Sequence, residues 1–306
     1  MKKVMIILII VLLNLIVYES VYANEDNVVI TEYNLKNNKT ITQNINSIYN
    51  KKIHKQSKIE AYNPISNNLE NLLFRTVFPP DYRTPVSDSN KYPFCCIGYL
   101  HIMFPNGEGA RGTAFLIDEN IALTAGHCLY SPQNGGKATT LYFYPARNGN
   151  IRPYVAEVTA YVLLKEFEES PNYENDWGIL ILDKDIGSST GWIGANSYED
   201  YALQDKGVRI TGYPELKPNV FPEQLTYDQW EMAGNVDLVE NGYIGYRIDT
   251  YSGQSGSPVY EMIDNLPYAV GIHNNGKPQN SNIELNYGAR ITKDLIDWCL
   301  YYIDKY

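Results

Sequence analysis

Three short segments carry residue types that could together attack a carbonyl carbon. Residues 124–128 read Thr-Ala-Gly-His-Cys, straight after an apolar run. Asn175-Asp176-Trp177-Gly178 stands straight before the apolar run Ile179 to Leu182. Residues 253–258 read Gly-Gln-Ser-Gly-Ser-Pro, ahead of a further run. A serine hydroxyl is a weak nucleophile at neutral pH and needs a base within hydrogen-bond reach. His127 can take the proton as Ser255 attacks, and a buried Asp176 can fix the imidazole tautomer and stabilise the imidazolium. The backbone N–H of Gly253 can point with that of Ser255 at the developing oxyanion. Gly256 leaves the turn room to present the hydroxyl. Each piece has an ordinary reading alone: a packed histidine, a strand-capping aspartate, a glycine turn. Their conjunction supplies nucleophile, base and orienter, each at the end of an apolar run.

The elements around these segments read as short strands. Candidates are 94–104, 112–117, 120–125, 139–144, 155–163, 177–182, 207–213, 243–248, 257–261, 268–273 and 286–291. Turn signals such as Asn134-Gly135-Gly136 and Asn148-Gly149 separate them. The 27 tyrosines, with alanine sparse, favour β structure. So many short strands predict an all-β sandwich or a pair of barrels. One helix is predicted at the end: Thr292 can cap it, and Leu295, Ile296, Cys299 and Ile303 share a face.

Composition excludes some classes and divides the chain. The 306 residues hold 25 Lys and Arg against 35 Asp and Glu, a net charge of −10. That argues against a nucleic-acid binder held by bulk electrostatics. Lys2 and Lys3, the apolar run Val4 to Val17 and Val21-Tyr22-Ala23 have the form of a secretory signal, residues 1–23, predicted to be cut after Ala23. The run is too short to span a bilayer, where about 20 residues are needed. Residues 24–75 hold twelve Asn and a cluster at Lys51, Lys52, Lys55 and Lys58, a composition closer to a linker or pro-segment than to a packed domain. They carry seven basic and five acidic side chains, net +2, while residues 76–306 carry 16 and 29, net −13. The two parts are electrostatically complementary. His54 and His101 have no chemical context. Cys95, Cys96, Cys128 and Cys299 are too few for a disulfide scaffold, and no C-x-x-C pair occurs. No metal motif appears and no cofactor is implied, although loop carbonyls could hold a calcium ion without leaving a motif.

The segments around His127 and Ser255 resemble the trypsin-like serine peptidases, and more closely the bacterial glutamyl endopeptidases. Asp249-Thr250-Tyr251, Ile272-His273-Asn274-Asn275-Gly276 and Tyr287-Gly288-Ala289-Arg290-Ile291-Thr292 carry that likeness, with Pro145-Ala146-Arg147-Asn148-Gly149 and Ile210-Thr211-Gly212-Tyr213-Pro214. It covers 76–306. It implies two perpendicular six-stranded antiparallel β-barrels with the cleft between them and a C-terminal helix. It implies catalysis by His127, Asp176 and Ser255. It also implies a pocket in which Thr250, five residues before the nucleophile, and His273, eighteen after it, bind a substrate Glu carboxylate. A hydroxyl and an imidazole can donate to a carboxylate, and a protonated imidazole would add charge.

Two departures from the wider family stand out. Gln254 replaces the aspartate that pairs with a new N-terminal amine in pancreatic-type relatives, so that activation switch is not expected. By the resemblance, the amine of a mature start at Thr76, after processing at Arg75, lies near the specificity pocket; self-cleavage at Glu70 is the alternative. Relatives often pair the cysteine after the catalytic histidine with one sixteen residues earlier, where this chain has Gly112. Cys95 or Cys96 could then pair with Cys128 or Cys299, and sequence does not choose. The expectation is a secreted, monomeric endopeptidase acting on protein or peptide substrates, with its own pro-segment as a partner and neither nucleic acid nor membrane. The alternatives are a serine protease of other or narrower specificity, and a non-catalytic binding protein on a protease scaffold.

Overall fold

The computed structural model describes residues 28–44, 57–64, 83–215, 227–275 and 285–306. The signal at 1–23 and the processing positions Glu70, Arg75 and Thr76 lie outside them. In chain order the strands are β1 (Val29–Asn34), β2 (Lys39–Asn44), β3 (Lys58–Ile59), β4 (Thr84–Pro85), β5 (Ile97–Met103), β6 (Gly109–Leu116), β7 (Ile121–Thr124), β8 (Tyr130–Ser131), β9 (Gly136–Lys137) and β10 (Thr140–Pro145). They continue as β11 (Ala156–Leu164), β12 (Gly178–Leu182), β13 (Gly194–Asn196), β14 (Gly207–Gly212), β15 (Trp230–Val239), β16 (Tyr243–Tyr246), β17 (Pro258–Ile263), β18 (Leu266–Asn275) and β19 (Asn286–Arg290).

Twelve of these strands close into two perpendicular, six-stranded antiparallel barrels, as expected. The first runs β10-β5-β6-β7-β12-β11 and closes through a β10–β11 pairing. The second runs β17-β14-β15-β16-β19-β18 and closes through β17–β18. Closure leaves few open edges. Alternation fills each interior: Leu141, Phe143 and Pro145 of β10 are buried and their neighbours are half-exposed. The second barrel packs Val208, Ile210, Trp230, Met232, Val236, Ile244, Tyr246, Ile248, Val259 and Val270.

Strand β15 was not expected from the sequence. Its alternation is regular, with Trp230, Met232, Gly234 and Val236 inward, but a glycine holds one inward place. A Cβ at Gly234 would stand 2.6 Å from Ile248 Cγ1, so Ile248 fills the space that a larger residue would have advertised. Segment 24–75 also departs from its composition. Its β1–β2 hairpin adds to the first barrel's sheet beside β11, and β3 pairs with β13 beside the second barrel.

The C-terminal helix spans Lys293–Lys305, and Thr292 Oγ1 accepts from the amide of Leu295 at 3.2 Å, the expected cap. Its buried face is Leu295, Ile296, Trp298, Cys299 and Tyr302, with Ile303 only partly buried. Trp298 stacks on Trp177 at 4.9 Å between ring centroids. Trp298→Ala removes that stack from a site 7% exposed. It should destabilise the fold by about 3–5 kcal/mol, read as a lowered denaturation midpoint, and Trp298→Phe should lose less.

Candidate active site

His127 sits in a single helical turn, Gly126–Cys128, entered from β7. Asp176 precedes β12, which pairs with β7, so the sheet itself sets the two side by side. Asp176 is 2% exposed. Its Oδ1 accepts from the His127 amide at 2.7 Å, and its Oδ2 lies 2.8 Å from His127 Nδ1 and accepts from Asn275 Nδ2 at 3.3 Å. Asn274 Nδ2 donates to the backbone oxygens of Tyr173 at 2.8 Å and Asp176 at 3.4 Å. A carboxylate so held fixes the imidazole with Nδ1 toward Asp176. Burial pulls the imidazole's pKa down, but the charge and hydrogen bond of Asp176 outweigh it and leave the value raised.

Ser255 is held through its backbone by the first barrel. Its carbonyl accepts from the Thr113 amide at 2.8 Å, and Cys128 Sγ lies 3.8 Å from the same oxygen. Thr113 Oγ1 donates to Gly253 O at 3.0 Å and accepts from the Tyr213 amide at 3.1 Å, while Thr124 Oγ1 donates to Thr113 O at 2.8 Å. The turn itself demands glycine twice. Gly253 has φ +93 and Gly256 φ +89, and a Cβ on Gly256 would come 2.0 Å from Thr113 O. The amides of Gln254, Gly256 and Ser257 bond to Tyr251, His273 and Gln254 oxygens. Those of Gly253 and Ser255 take no acceptor among the described residues, which is what an oxyanion site needs. A cleft of about 370 Å³ opens beside His127, lined also by Arg111, Tyr130, Gln133, Phe167 and Pro171.

His273 lies on β18, 4% exposed, and is tied to the residues after Ser255: its amide donates to Ser257 O at 2.9 Å and its oxygen accepts from Gly256 at 2.7 Å. Its Nδ1 stands 2.7 Å from Tyr246 Oη. Burial, then the charge of His127, pull its pKa down to about 3. Burial thus favours the neutral ring, which can still donate or accept a hydrogen bond. Thr250 is half-buried in the segment leading into the nucleophile turn. Thr76 lies outside the described residues.

The cysteines correct the sequence reading. All four are free and buried. Cys95 and Cys96 Sγ donate to Thr190 O at 3.1 and 3.4 Å, and neither is bonded to Cys128 or Cys299. A Cβ on Gly112 would meet Cys128 Sγ at 2.8 Å, so the two positions face each other with no sulfur on one side.

The Trypsin family profile matches residues 101–299. The chain belongs to the trypsin family of serine proteases. It is 32% identical over 228 residues to a glutamyl endopeptidase of Bacillus licheniformis, covering 73% of this chain and 67% of that one. It is 30% identical over 244 residues to a Bacillus subtilis protein named as an extracellular metalloprotease, covering 79% and 74%. A solved Glu endopeptidase bound to MPD superposes with a TM-score of 0.63 at 26% identity, over 76% of this chain and all (100%) of that one. The word metalloprotease belongs to that one relative. Among the described residues of this protease, no three His, Cys, Asp or Glu side chains gather as ligands would.

Sequence reading missed Thr113, Tyr246, Asn274 and Asn275 as parts of the site. The two asparagines directly after His273 were a visible signal, since paired amides beside a strand end can hold a carboxylate or a carbonyl. Thr113 gave none, because its role is a contact between barrels.

Two outcomes follow from this geometry. A general base must be neutral, so kcat/KM should fall as pH drops through the raised His127 value, and the acid limb should lie above the ordinary histidine range. Asp176→Asn removes the charge that raises it: the limb should move to lower pH and kcat drop roughly 10⁴-fold. Thr113→Val should cost about 1–3 kcal/mol of stability, leaving Gly253 O and the Tyr213 amide unpaired. It should cut kcat roughly ten- to a hundred-fold with little change in KM, and Thr113→Ser should restore most of it.

Proposed function

We propose that the protein is a secreted endopeptidase that cleaves after Glu, using Ser255 as nucleophile, His127 as general base and acid, and Asp176 to orient it. The Asp176–His127 pair beside a nucleophile turn with two unengaged amides carries this reading. Ser255 Oγ attacks the scissile carbonyl as His127 takes its proton. The amides of Gly253 and Ser255 stabilise the oxyanion. His127 then returns the proton to the leaving amine, and water reverses the sequence on the acyl-enzyme. The non-catalytic alternative has little support, since such scaffolds characteristically lose one of these groups and this chain keeps all of them.

For specificity, Thr250 and His273 are the donors assigned to the substrate Glu. If Tyr246 donates its hydroxyl proton to His273 Nδ1, the ring's other nitrogen is the N–H, free of any need to be charged. The positive charge for the carboxylate is then left to the amine of Thr76, freed when residues 24–75 are cut away. The signal at 1–23, the cut before Thr76 and a monomeric mature domain at 76–306 belong to this reading. The net −13 of 76–306 opposes acidic peptides at long range, so preference must come from local contacts.

Ser255→Ala should fold normally and lose peptide hydrolysis by several orders of magnitude. On a peptide library, processed wild type should cleave after Glu and far less after Gln, Leu or Lys. Losing one charge-assisted contact costs roughly 1.5–3 kcal/mol, on the order of ten- to more than a hundred-fold in rate. His273→Ala should depress cleavage after Glu much more than after uncharged residues. Equal cleavage after Leu and Glu by the wild type would refute the pocket and leave the serine-protease assignment standing.

A further inference from the structure

Strand β11 is nine residues long, and β10 pairs with only its first two, Tyr142 opposite Glu157 and Phe143 opposite Ala156. Beyond that point the barrel wall would present unpaired backbone. Strand β1 fills the gap in antiparallel register, from Ile30 opposite Leu164 to Asn34 opposite Ala160, and the Leu35 amide donates to Thr159 O at 2.8 Å. Unpaired edges of this kind are costly and sticky. The filling strand is also buried: Ile30 is 1%, Glu32 3% and Tyr33 6% exposed. Glu32 Oε1 accepts from Tyr306 Oη at 2.7 Å, and Lys305 Nζ lies 2.5 Å from its other oxygen. Tyr33 bonds to Glu168, and Lys137 Nζ sits 3.9 Å over its ring.

A second anchor lies on the other barrel. Tyr62 and Trp192 exchange backbone hydrogen bonds at 2.9 and 3.2 Å and their rings are 4.5 Å apart. Glu60 accepts from Trp192 Nε1 through its carbonyl at 2.9 Å and from Tyr268 Oη through its carboxylate at 2.7 Å. The receiving surface is shaped for a backbone. A Cβ on Gly191 would strike Tyr62 O at 2.1 Å, and one on Gly194 would strike Ile59 O at 2.6 Å. The partners of Glu32, Tyr33, Glu60 and Tyr62 named here do not include His127, Asp176 or Ser255.

We propose that residues 28–44 and 57–64 form a clasp that stays bound, non-covalently, to both barrels after the chain is cut between Pro64 and Arg83, so that the mature protease is a two-chain molecule. This rests on the reading that residues 24–75 are severed from 76–306. Hydrolysis of one peptide bond there consumes one water and leaves a carboxylate on the first piece and an amine on the second. Nothing in that step breaks the ladder to β11 or the Tyr62–Trp192 pairing. Processing then frees the new amine without stripping the barrel wall.

The test uses the full chain with a sequence-specific protease site inserted after Arg75, cut after folding and passed through size exclusion. Mass spectrometry of the denatured peak should show both pieces in equal amount, with the smaller one released only by denaturant. A peak holding the larger piece alone overturns the clasp. Ile30→Asp, which buries a charge in the ladder, should shed the smaller piece after the cut, whereas Ile41→Asp, at a position 45% exposed on β2, should not. If Ile30→Asp retains the piece as firmly as wild type, the β11 ladder is not what holds it and the proposal fails. Hydrolysis of a Glu peptide by the same cut sample separates the two readings. Activity without the smaller piece sinks the clasp alone, and retention without activity sinks the proposed function alone.

Discussion

One threonine between the barrels sets where Ser255 stands. Thr113 belongs to β6 of the first barrel, yet its amide and hydroxyl hold Ser255 O and Gly253 O, and the hydroxyl also receives the Tyr213 amide. Its carbonyl is held in turn by Thr124, three residues before His127. His127 and Ser255 come from different barrels, so their spacing is only as firm as the contact between the barrels. At Thr113 that contact is polar and fully buried, where a neutral hydrogen bond is directional and its loss leaves groups that water cannot reach. Tyr213 adds a second tie, donating its hydroxyl to Arg147 O at 3.0 Å on the first barrel. Gln229 adds a third through Ile97 O at 3.2 Å.

The orientation of Asp176 depends on a longer chain of contacts. Trp177, its neighbour, stacks on Trp298 of the C-terminal helix. The end of that helix is fastened by Lys305 and Tyr306 to Glu32 on β1. The hairpin, the last helix and the aspartate therefore form one packed series, and the first barrel's open wall is covered at the same place. The described parts of segment 24–75, residues 28–44 and 57–64, contribute to the frame behind the site and do not line the cleft beside His127.

What the sequence disclosed and what it hid follow from the range of each interaction. The turns around His127 and Ser255 are local, so Gly126, Gly253 and Gly256 are forced by chain geometry and show in the sequence. Eleven barrel strands were readable as short apolar and β-favouring runs between turn signals; β15 was not, since Gly234 yields its inward place to Ile248 from elsewhere in the chain and breaks the apolar run. The strands β1 and β2 were hidden because their partner is β11, more than a hundred residues away, and polar Asn and Lys on the exposed hairpin face dominate the local composition. Thr113 was hidden for the same reason. Cysteine pairing was left open because spacing carries no information on whether two sulfurs face one another, and the four prove to be free.

The gap between Gly112 and Cys128 has a further consequence. A lone thiol within reach of the nucleophile's carbonyl would ordinarily be a target for oxidants and electrophiles, which attack the thiolate. Burial, and then the negative charge of Asp176, push the Cys128 thiol up to about 12. The same carboxylate that steadies the imidazole thus adds to burial in keeping the neighbouring sulfur protonated. With no sulfur–sulfur bond at this corner, burial first and the field of the carboxylate second keep the thiol inert.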